Sequence, residues 1–447
     1  MSYSFDLNES FSGFSPSFPA DGCTQCGICL GSCPTFNKTE DVEQSPMGRI
    51  RMIRALDSGE TEGLSLEKLE SCLGCYSCTT ICPSKVNFEN MLDHALIDIR
   101  KNKPLPFTTK VMLSLSLKPW LLKVMIQIIV VAQSLGLRWL LDRMGVFNAI
   151  GLGRANQLLG NVNFPATTID NRTSTLASAR SKQLMVMLNS TKALVKSKPI
   201  SQRRVSLFKG CFTSVLEQDV QQTSIEVLNS LGIEVLIPDG QTCCGAMHRH
   251  NGNNSQATKL AQKNITSFNA LNCSTIISTS SGCGASLQNY SQWLESEKQG
   301  FSQPVMDISH YLENILSERK VVFNTMHLNV AIHTPCSLKR EEGQVDAVMA
   351  LLKRIPGLKL HEIHDAPSCC GAGGSQVLSH PEMADTIRDD VIEKVIALKP
   401  DVLVSSNLGC AMHLRAGLKQ AGQDIPLEHP VQLISRALQV EFVTINS

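Results

Sequence analysis

The chain has 447 residues, of which 43% are hydrophobic, 18% are charged and only 5% are aromatic. This content is sufficient for several packed domains and excludes a mainly disordered chain. Lys and Arg number 41 and Asp and Glu number 40, so the net charge of +1 gives no reason to expect a nucleic-acid partner. The unusual feature is cysteine, with 17 residues.

The first residues of the chain indicate in which cellular compartment the protein is expected. No Lys or Arg precedes Lys38, so the opening segment lacks the basic region of a secretory leader. A cytoplasmic protein keeps its thiols reduced, and closely spaced thiols there indicate metal or cluster ligands rather than disulfides. We therefore expect a cytoplasmic protein that binds inorganic groups through cysteine.

The first eight cysteines form two copies of C-x2-C-x2-C-x3-C-P with identical spacing. This run is typical of a two-cluster ferredoxin, in which the fourth cysteine of each copy binds the other cluster. Paired zinc ribbons are the alternative, but zinc needs neither the third spacing nor the prolines. The predicted ligands of the two [4Fe-4S] clusters are Cys23, Cys26, Cys29 and Cys82 for one, and Cys72, Cys75, Cys78 and Cys33 for the other.

The 38 residues between Cys33 and Cys72 include the helical pattern GRIRMIRALDSGE. A compact two-hairpin ferredoxin has no room for such a helix, so we expect a helical ferredoxin-like domain over residues 15–100. Arg49, Arg51 and Arg54 lie on this helix. Their simplest interpretation is a solvated face, and the alternative is that they dock a partner or raise the cluster potentials.

Residues 101–200 are predicted to be a basic, apolar helical connector followed by a polar linker around 161–182. From Arg100 to Leu141 there are seven basic residues and no acidic one. The uncharged run 124–137 is too short to cross a bilayer, and Trp120 and Trp139 flank it. This pattern is typical of a segment lying in the interface of an anionic membrane, and a helical hairpin buried against a partner subunit explains it equally well.

The remaining cysteines reveal a tandem duplication. Cys211 in VSLFKGC returns as Cys336 in VAIHTPC at an offset of 125, QTCCGA returns as PSCCGA at 126, and Cys283 returns as Cys410 at 127. We place the two halves at residues 201–325 and 326–447. Short β-branched runs alternate with helical patterns in each half, which predicts an α/β unit with a parallel sheet.

Each half places four thiols at the predicted carboxyl ends of its strands, where parallel sheets bind ligands. They are candidates for a further cluster or metal, with buried, purely structural cysteines as the alternative. Cys273 has no counterpart and is expected in the core. The candidate ligands are Cys211, Cys243, Cys244 and Cys283 in the first half and Cys336, Cys369, Cys370 and Cys410 in the second; His248, His250, His333 and His413 are candidate ligands or proton carriers, or ordinary structural histidines.

The doubled ferredoxin run followed by two CCG repeats resembles the glycolate oxidase (glycolate dehydrogenase) iron–sulfur subunit and related heterodisulfide-reductase-type proteins. SPMGRI at 45–50, SGCGA at 281–285, HTPC at 333–336, CCGAGGS at 369–375 and NLGCAMHLRAG at 407–417 carry the likeness. One departure is that the closing C-x-x-C of cluster-binding CCG domains is missing, since Ser286 follows Cys283 and His413 follows Cys410. The resemblance implies a multidomain α+β chain, a helical two-cluster ferredoxin-like domain followed by two α/β CCG domains.

The resemblance also implies a function. A chain of this kind takes electrons from a separate FAD-containing subunit that oxidises a 2-hydroxy acid such as glycolate, and delivers them to quinone at the inner face of the cytoplasmic membrane. No flavin fingerprint occurs in the sequence, and iron–sulfur clusters do not remove a hydride themselves, so FAD is expected on the partner. The alternatives are a D-lactate dehydrogenase or heterodisulfide-reductase-like complex with catalytic CCG domains, or a zinc-binding module.

Overall fold

The computed structural model describes residues 22–60, 63–149, 151–160, 203–294, 300–319, 321–339, 344–363 and 369–439. The stretch 161–182, which the sequence suggests as a linker, lies outside the described residues, and so do residues 15–21 of the predicted first domain. The predicted domain boundaries therefore stay predictions.

The amino-terminal region is helical. Helix Pro46–Ser58 begins with Pro46 in its first turn, and the Ser45 hydroxyl accepts a hydrogen bond from the Gly48 amide. The helix is followed by Gly59, which has the left-handed conformation. Ile53 and Leu92 pack in the core between this helix and the last one of the region. The helices are Pro34–Thr39, Pro46–Ser58, Leu66–Glu70, Ser77–Thr80 and Phe88–Asn102, with a 3-10 turn at Val42–Gln44.

The connector continues as helices. They span Phe107–Ser116, Pro119–Ser134, Leu137–Arg143, Val146–Ala149 and Gly153–Leu159. Among the described residues, none of the individual helices has the length and apolarity that a bilayer crossing requires. The first two helices reach that length and composition only when taken together, and their axes differ by 112°.

The first half of the duplication contains a parallel sheet of strands β1 (Arg204–Phe208), β2 (Glu234–Leu236), β3 (Thr275–Ser278) and β4 (Val305–Asp307) in the order β2-β1-β3-β4. The strands predicted at VSLF, IEVLI and TIIST are confirmed. The helices of this half are Thr213–Leu216, Gln218–Ser230, Ala246–Arg249, Asn254–Asn269, Ser281–Gln288, Tyr290–Trp293 and Ile308–Ser317.

The second half repeats this sheet with β6 (Asn329–His333), β7 (Lys359–Glu362), β8 (Val402–Ser405) and β9 (Leu427–Glu428) in the order β7-β6-β8-β9. Strands β5 (Val322–Phe323) and β10 (Leu438–Gln439) pair antiparallel beside it. The helices are Cys336–Lys339, Gln344–Lys353, Gln376–Ser379, Pro381–Leu398, Leu408–Gln420 and Pro430–Ala437. The mixed fold with two parallel sheets agrees with the expected fold class.

The two halves exchange equivalent contacts. Helix Ile308–Ser317 of the first half packs on Gln344–Lys353 of the second, and Pro430–Ala437 packs on Gln218–Ser230. One continuous apolar core results, shared by both halves. This reciprocal packing brings the carboxyl ends of the two sheets, and hence their cysteines, close together.

The amino-terminal region docks on both halves. The carboxylate of Asp93 forms a buried ion pair with Arg249, and the guanidinium of Arg249 lies 5.1 Å from the centre of the Trp293 ring. The side chain of Gln376 donates a 2.7 Å hydrogen bond to the Glu70 carbonyl. These contacts fix the first cysteines against the repeat.

Candidate functional site

The eight amino-terminal cysteines line two adjoining cavities. The first contains about 480 Å³ of atom-free space, part of it open to solvent, and the second about 310 Å³. Cys78 lines both. The other lining cysteines are Cys23, Cys26, Cys29 and Cys82 in the first cavity, and Cys33, Cys72 and Cys75 in the second. We name Cys23, Cys26, Cys29 and Cys82 the first amino-terminal group, and Cys33, Cys72, Cys75 and Cys78 the second.

The fourth cysteine of each copy lies beside the other copy, as the exchange of ligands requires. The two loops also share an uncommon backbone conformation. Gln25 and Gly27 have φ of 56° and 79°, and the equivalent Gly74 and Tyr76 have φ of 59° and 52°. Left-handed residues on either side of the second cysteine coil the loop tightly, so that three thiols face one cavity.

The second cavity is an apolar environment for its thiols. Burial raises the pKa of Cys75 to about 12, and it also raises the pKa of Cys72 and of Cys78. Deprotonation of these thiols therefore needs a cation, which an iron–sulfur cluster supplies. The set of four soft sulfur donors fits a [4Fe-4S] cluster, with the cluster as the group that accepts and gives single electrons.

A buried guanidinium lies at the second cavity. Arg49 is 1% exposed, and its Nη1 donates to the Sγ of Cys33 at 3.8 Å and to the hydroxyl of Thr35 at 3.1 Å. Its Nη2 donates to the Ser71 hydroxyl at 3.2 Å. The interpretation of Arg49 as part of a solvated face is therefore wrong, whereas Arg51 is exposed as that interpretation requires.

Within the repeat, the four thiols of each half divide into the same two pairs. In the first repeat group, Cys211 and Cys243 have their sulfur atoms 3.3 Å apart, and Cys244 is hydrogen-bonded to Cys283. In the second repeat group, Cys336 is hydrogen-bonded to Cys369, and the sulfur atoms of Cys370 and Cys410 lie 2.8 Å apart. The adjacent cysteines of each CCG motif thus face different partners.

The glycine after each cysteine pair has the same role in both halves. The Gly245 amide donates to the Cys243 sulfur at 3.4 Å, and the Gly371 amide donates to the Cys369 sulfur at 3.4 Å. Both glycines have positive φ, of 84° and 78°. A Cβ on Gly371 would lie 2.2 Å from the Ala384 carbonyl oxygen, so only glycine permits this close approach.

The first repeat group has a polar support that the sequence does not reveal. The Asn264 side chain donates to the Cys243 carbonyl at 3.0 Å and to the Tyr290 hydroxyl at 2.9 Å, and that hydroxyl donates to the Cys244 carbonyl at 2.9 Å. Hydrogen bonds from Cys211 and Cys244 lower the pKa of Cys243. Asn264 lies 21 positions after Cys243 and Tyr290 lies 46 positions after Cys244, so no local pattern links them to these two cysteines.

The four histidines have different surroundings. His333 has a ligand atom within 4.8 Å of the sulfur atoms of Cys370 and Cys410. The Nε2 of His413 instead lies 3.1 Å from the Ala384 carbonyl oxygen, and the Nε2 of His248 lies 3.1 Å from the Ser116 hydroxyl. The Nδ1 of His250 lies 3.3 Å from the Tyr76 hydroxyl.

Cys273 lies apart from all four groups. It precedes β3, at the opposite end of the sheet from the other cysteines, and is partly exposed rather than fully buried in the core.

Contacts join the four groups one after another, and we call this series of contacts a line. Cys78 connects the two amino-terminal groups, and Cys75 of the second group packs in an apolar cluster with Cys369 of the second repeat group. The two repeat groups meet where the hydroxyl groups of Ser281 and Ser337 lie 2.8 Å apart, two residues before Cys283 and one after Cys336.

The connector helices cover the far end of this line. Leu122 and Ile126 of helix Pro119–Ser134 pack against Phe212, which also contacts the core around Cys211. The outer surface of these helices is apolar and exposed. We name it the apolar face, and its exposed side chains include Phe107, Trp120, Val124, Met125, Ile128, Val131, Leu135 and Trp139.

Two family matches agree with this division of the chain. The family described as the 4Fe-4S dicluster domain matches residues 22–87. The cysteine-rich domain family named CCG matches twice, at residues 205–288 and 330–415. The two families together therefore account for all four cysteine groups.

Two of the similar proteins cover nearly the whole chain. The probable glycolate oxidase iron–sulfur subunit of Bacillus subtilis is 28% identical over 420 residues, which cover 90% of this chain and 89% of that protein. The glycolate oxidase iron–sulfur subunit of Escherichia coli is 27% identical, with 94% of each chain covered. Lactate utilization protein A of Halalkalibacterium halodurans is 26% identical over 52% of this chain and 96% of that protein. The chain thus belongs to the iron–sulfur oxidoreductase subunits that join a 4Fe-4S dicluster domain to two CCG domains, and its resemblance to the glycolate oxidase iron–sulfur subunit is confirmed.

Proposed function

We propose that this chain is the electron-transfer subunit of a membrane-associated, flavin-dependent 2-hydroxy acid dehydrogenase that oxidises glycolate. Its two amino-terminal groups hold one [4Fe-4S] cluster each, and the repeat groups hold a further cluster or metal. The observation that carries the proposal is the unbroken line of cysteine groups, from the exposed Cys26 to the helices of the apolar face. A line of adjoining redox groups is what single-electron transfer across a protein requires.

The FAD-containing partner docks at the exposed end of the line. Cys26 is the exposed cysteine of the first amino-terminal group, and the Ile28 side chain beside it is also exposed. Because clusters pass single electrons and do not take a hydride from an alcohol carbon, a flavin must meet the substrate. Likeness to glycolate oxidase iron–sulfur subunits supports such a complex.

The quinone end lies at the apolar face. Trp120, Ile128 and Leu135 are all more than 60% exposed, which a soluble surface rarely tolerates in one patch. Lys110 and Lys118 are exposed in the same helical segment and would face anionic headgroups. The helices then lie in the inner interface of the cytoplasmic membrane, where quinone is available.

Arg138 is not one of the exposed basic residues that would face the membrane. It is buried, and it donates hydrogen bonds to the Asn156 side chain at 2.9 Å, to the Gln133 side chain at 3.0 Å and to the Gly160 carbonyl. Its guanidinium closes the end of the connector, so a substitution there would disturb folding rather than membrane binding.

A second substrate has a specific observation in its favour. The likeness to lactate utilization protein A and the close thiol pairs of the repeat are consistent with a D-lactate-oxidising complex in which the CCG domains are catalytic. The decisive measurement is which of glycolate and D-lactate reduces the iron–sulfur signals of the purified complex.

The test begins with the complex purified without oxygen. We expect a brown protein with about eight iron atoms per chain from the amino-terminal groups alone, a co-purifying flavoprotein, and paramagnetic signals after reduction with dithionite. Glycolate should then reduce a soluble quinone. A colourless zinc-containing protein would refute the cluster assignment, and reduction by D-lactate alone would assign the alternative substrate.

Single substitutions test the exchanged ligands. Cys82→Ser should remove the signal of the cluster that also uses Cys26 and leave the other cluster intact, since Cys82 lines the first cavity. Cys273→Ser is the matched control, because Cys273 lies outside all four groups, and both clusters should survive it. Loss of only the second cluster in Cys82→Ser would contradict the ligand assignment.

Membrane association is tested with liposomes. Trp120→Ser combined with Ile128→Ser should reduce sedimentation with anionic vesicles and with neutral ones, whereas Lys118→Gln should reduce binding to anionic vesicles only. Arg51→Gln is the control, since Arg51 is an exposed cation on helix Pro46–Ser58 and not on the connector helices. Unchanged vesicle binding in the double variant would identify the face as a contact with a partner subunit.

A further inference from the structure

The duplication provides an internal comparison at the first strand of each half. Strand β1 reads RVSLF and β6 reads NVAIH, and both strands lead to the first cysteine of their group. At the last position of the strand the first half has Phe208 and the second half has His333. Both side chains are 2% exposed, so the second half buries an imidazole where the first half buries a benzene ring.

The imidazole lies among thiols. One ligand atom from each of His333, Cys370 and Cys410 falls within 4.8 Å of the other two, and all three residues are buried. The Nδ1 of His333 lies 3.0 Å from the hydroxyl of Ser405, the neighbouring residue on β8. When Nδ1 donates its proton to that hydroxyl, the hydrogen bond fixes the ring and Nε2 is the nitrogen that can bind a metal.

We propose that His333 is a metal ligand, and that the second half binds a divalent transition metal ion through the Nε2 of His333 and the sulfur atoms of Cys370 and Cys410. Two thiolates and one imidazole suit zinc or ferrous iron. The first half offers only thiolates, because Phe208 occupies the equivalent place. The two halves therefore hold chemically different centres.

The position of His413 strengthens this assignment. The sequence places His413 where a closing C-x-x-C would supply a ligand, but its Nε2 lies 3.1 Å from the Ala384 carbonyl and 3.9 Å from the Asp385 carboxylate. It therefore faces helix Pro381–Leu398. The histidine that meets the thiols comes from the strand, 80 positions before His413 in the chain.

The inference rests on the part of the proposed function that gives the repeat an inorganic group, and its test is independent of glycolate oxidation. The full-length chain, purified without oxygen, is loaded with zinc alone or with ferrous iron alone, and metal per chain is counted after gel filtration. The variants are His333→Phe, which copies the first half, His333→Cys, and His413→Gln as the buried control.

We expect the His333→Phe variant to bind one metal equivalent fewer, or to bind it at least roughly 100-fold more weakly. Even the loss of a residue that hydrogen-bonds to a metal ligand weakens metal binding by up to that factor. His333→Cys should restore binding, and His413→Gln should match the unchanged protein. X-ray absorption at the zinc edge should show imidazole scattering in the unchanged protein and in His413→Gln, and sulfur only in His333→Cys.

Equal metal content and equal affinity in His333→Phe would overturn the assignment, and so would imidazole scattering that persists in His333→Cys. Recovery of Cys370 and Cys410 as a disulfide from metal-loaded, oxygen-free protein would overturn it as well. If His333→Phe does not fold, His333→Cys and the absorption spectrum decide. Iron bound by the eight amino-terminal cysteines is quantified separately, by its electron paramagnetic resonance. Loss of those clusters would therefore reject the proposed function and leave this inference standing.

Discussion

Replacement of Arg49 by glutamine should lower the reduction potential of the cluster held by the second amino-terminal group. The guanidinium is fully buried and donates to the Sγ of Cys33 at 3.8 Å. A reduced cluster carries one more negative charge than an oxidised one, and a nearby positive charge stabilises that extra electron. The glutamine side chain would keep some hydrogen-bonding capacity but would remove the charge.

The magnitude follows from Coulomb's law. At 3.8 Å and an effective dielectric constant of about 20, a unit charge contributes about 4 kcal/mol. The added electron spreads over the whole cluster, which reduces the effect to about 2 kcal/mol. Since about 1.4 kcal/mol corresponds to 59 mV for one electron, we expect a decrease of about 80 mV.

The assay is a redox titration followed by electron paramagnetic resonance, with both amino-terminal clusters monitored. Arg51→Gln is the charge control, since Arg51 is exposed and should shift the potential little. Arg54→Gln is the positional control, because Arg54 donates to the Cys23 carbonyl at 3.2 Å and should affect the first cluster instead. A potential for the second cluster within about 20 mV of the unchanged protein would refute the electrostatic reasoning.

Three further substitutions test packing, pH dependence and docking by urea denaturation. Gly371→Ala should lower the free energy of unfolding by at least about 3 kcal/mol, because the new Cβ meets a backbone carbonyl, whereas Gly422→Ala, left-handed but in open space, should cost about 1–2 kcal/mol. Burial raises the pKa of Glu217 to about 8 from an ordinary 4.5, so the folded state holds a proton that the unfolded state releases, and stability should fall as the pH rises through that window. Glu217→Gln should flatten this slope, by up to about 1.4 kcal/mol per pH unit. Asp93→Asn leaves the guanidinium of Arg249 buried without its carboxylate, and should cost about 3–5 kcal/mol and expose the junction to proteolysis.

The sequence predicts the features that depend on local order. Fixed spacing within a short loop determines which thiols can reach one cavity, and the identical left-handed positions in the two copies show why identical spacing gives identical geometry. β-Branched runs and alternating helical periods likewise locate the strands β1 and β6 and the carboxyl ends where the repeat cysteines lie.

The sequence does not predict features that depend on partners distant in the chain. The helical pattern around Arg49 and the basic pattern around Arg138 suggest exposed cations, yet both guanidinium groups are buried. Arg49 donates to the Lys68 carbonyl and to Ser71, about twenty positions away, and Arg138 donates to Asn156. A guanidinium group can be buried in this way because several hydrogen-bond acceptors from other segments replace the water molecules that would otherwise hydrate it. The local sequence pattern does not show which acceptors these are.

The two halves of the duplication share one sheet topology, but a single amino-terminal region must dock on them asymmetrically. Its Cys75 packs against Cys369 of the second repeat group, whereas the first repeat group meets the connector through Phe212. Electrons should therefore enter by the second half and leave by the first. We expect Cys410→Ser, which removes a ligand of the second repeat group, to stop reduction of both repeat groups by dithionite-reduced clusters when these groups hold iron, and Cys211→Ser to stop only the first. Stopped-flow absorbance follows both reactions. Normal reduction of the first group in Cys410→Ser would show that the order of transfer is different.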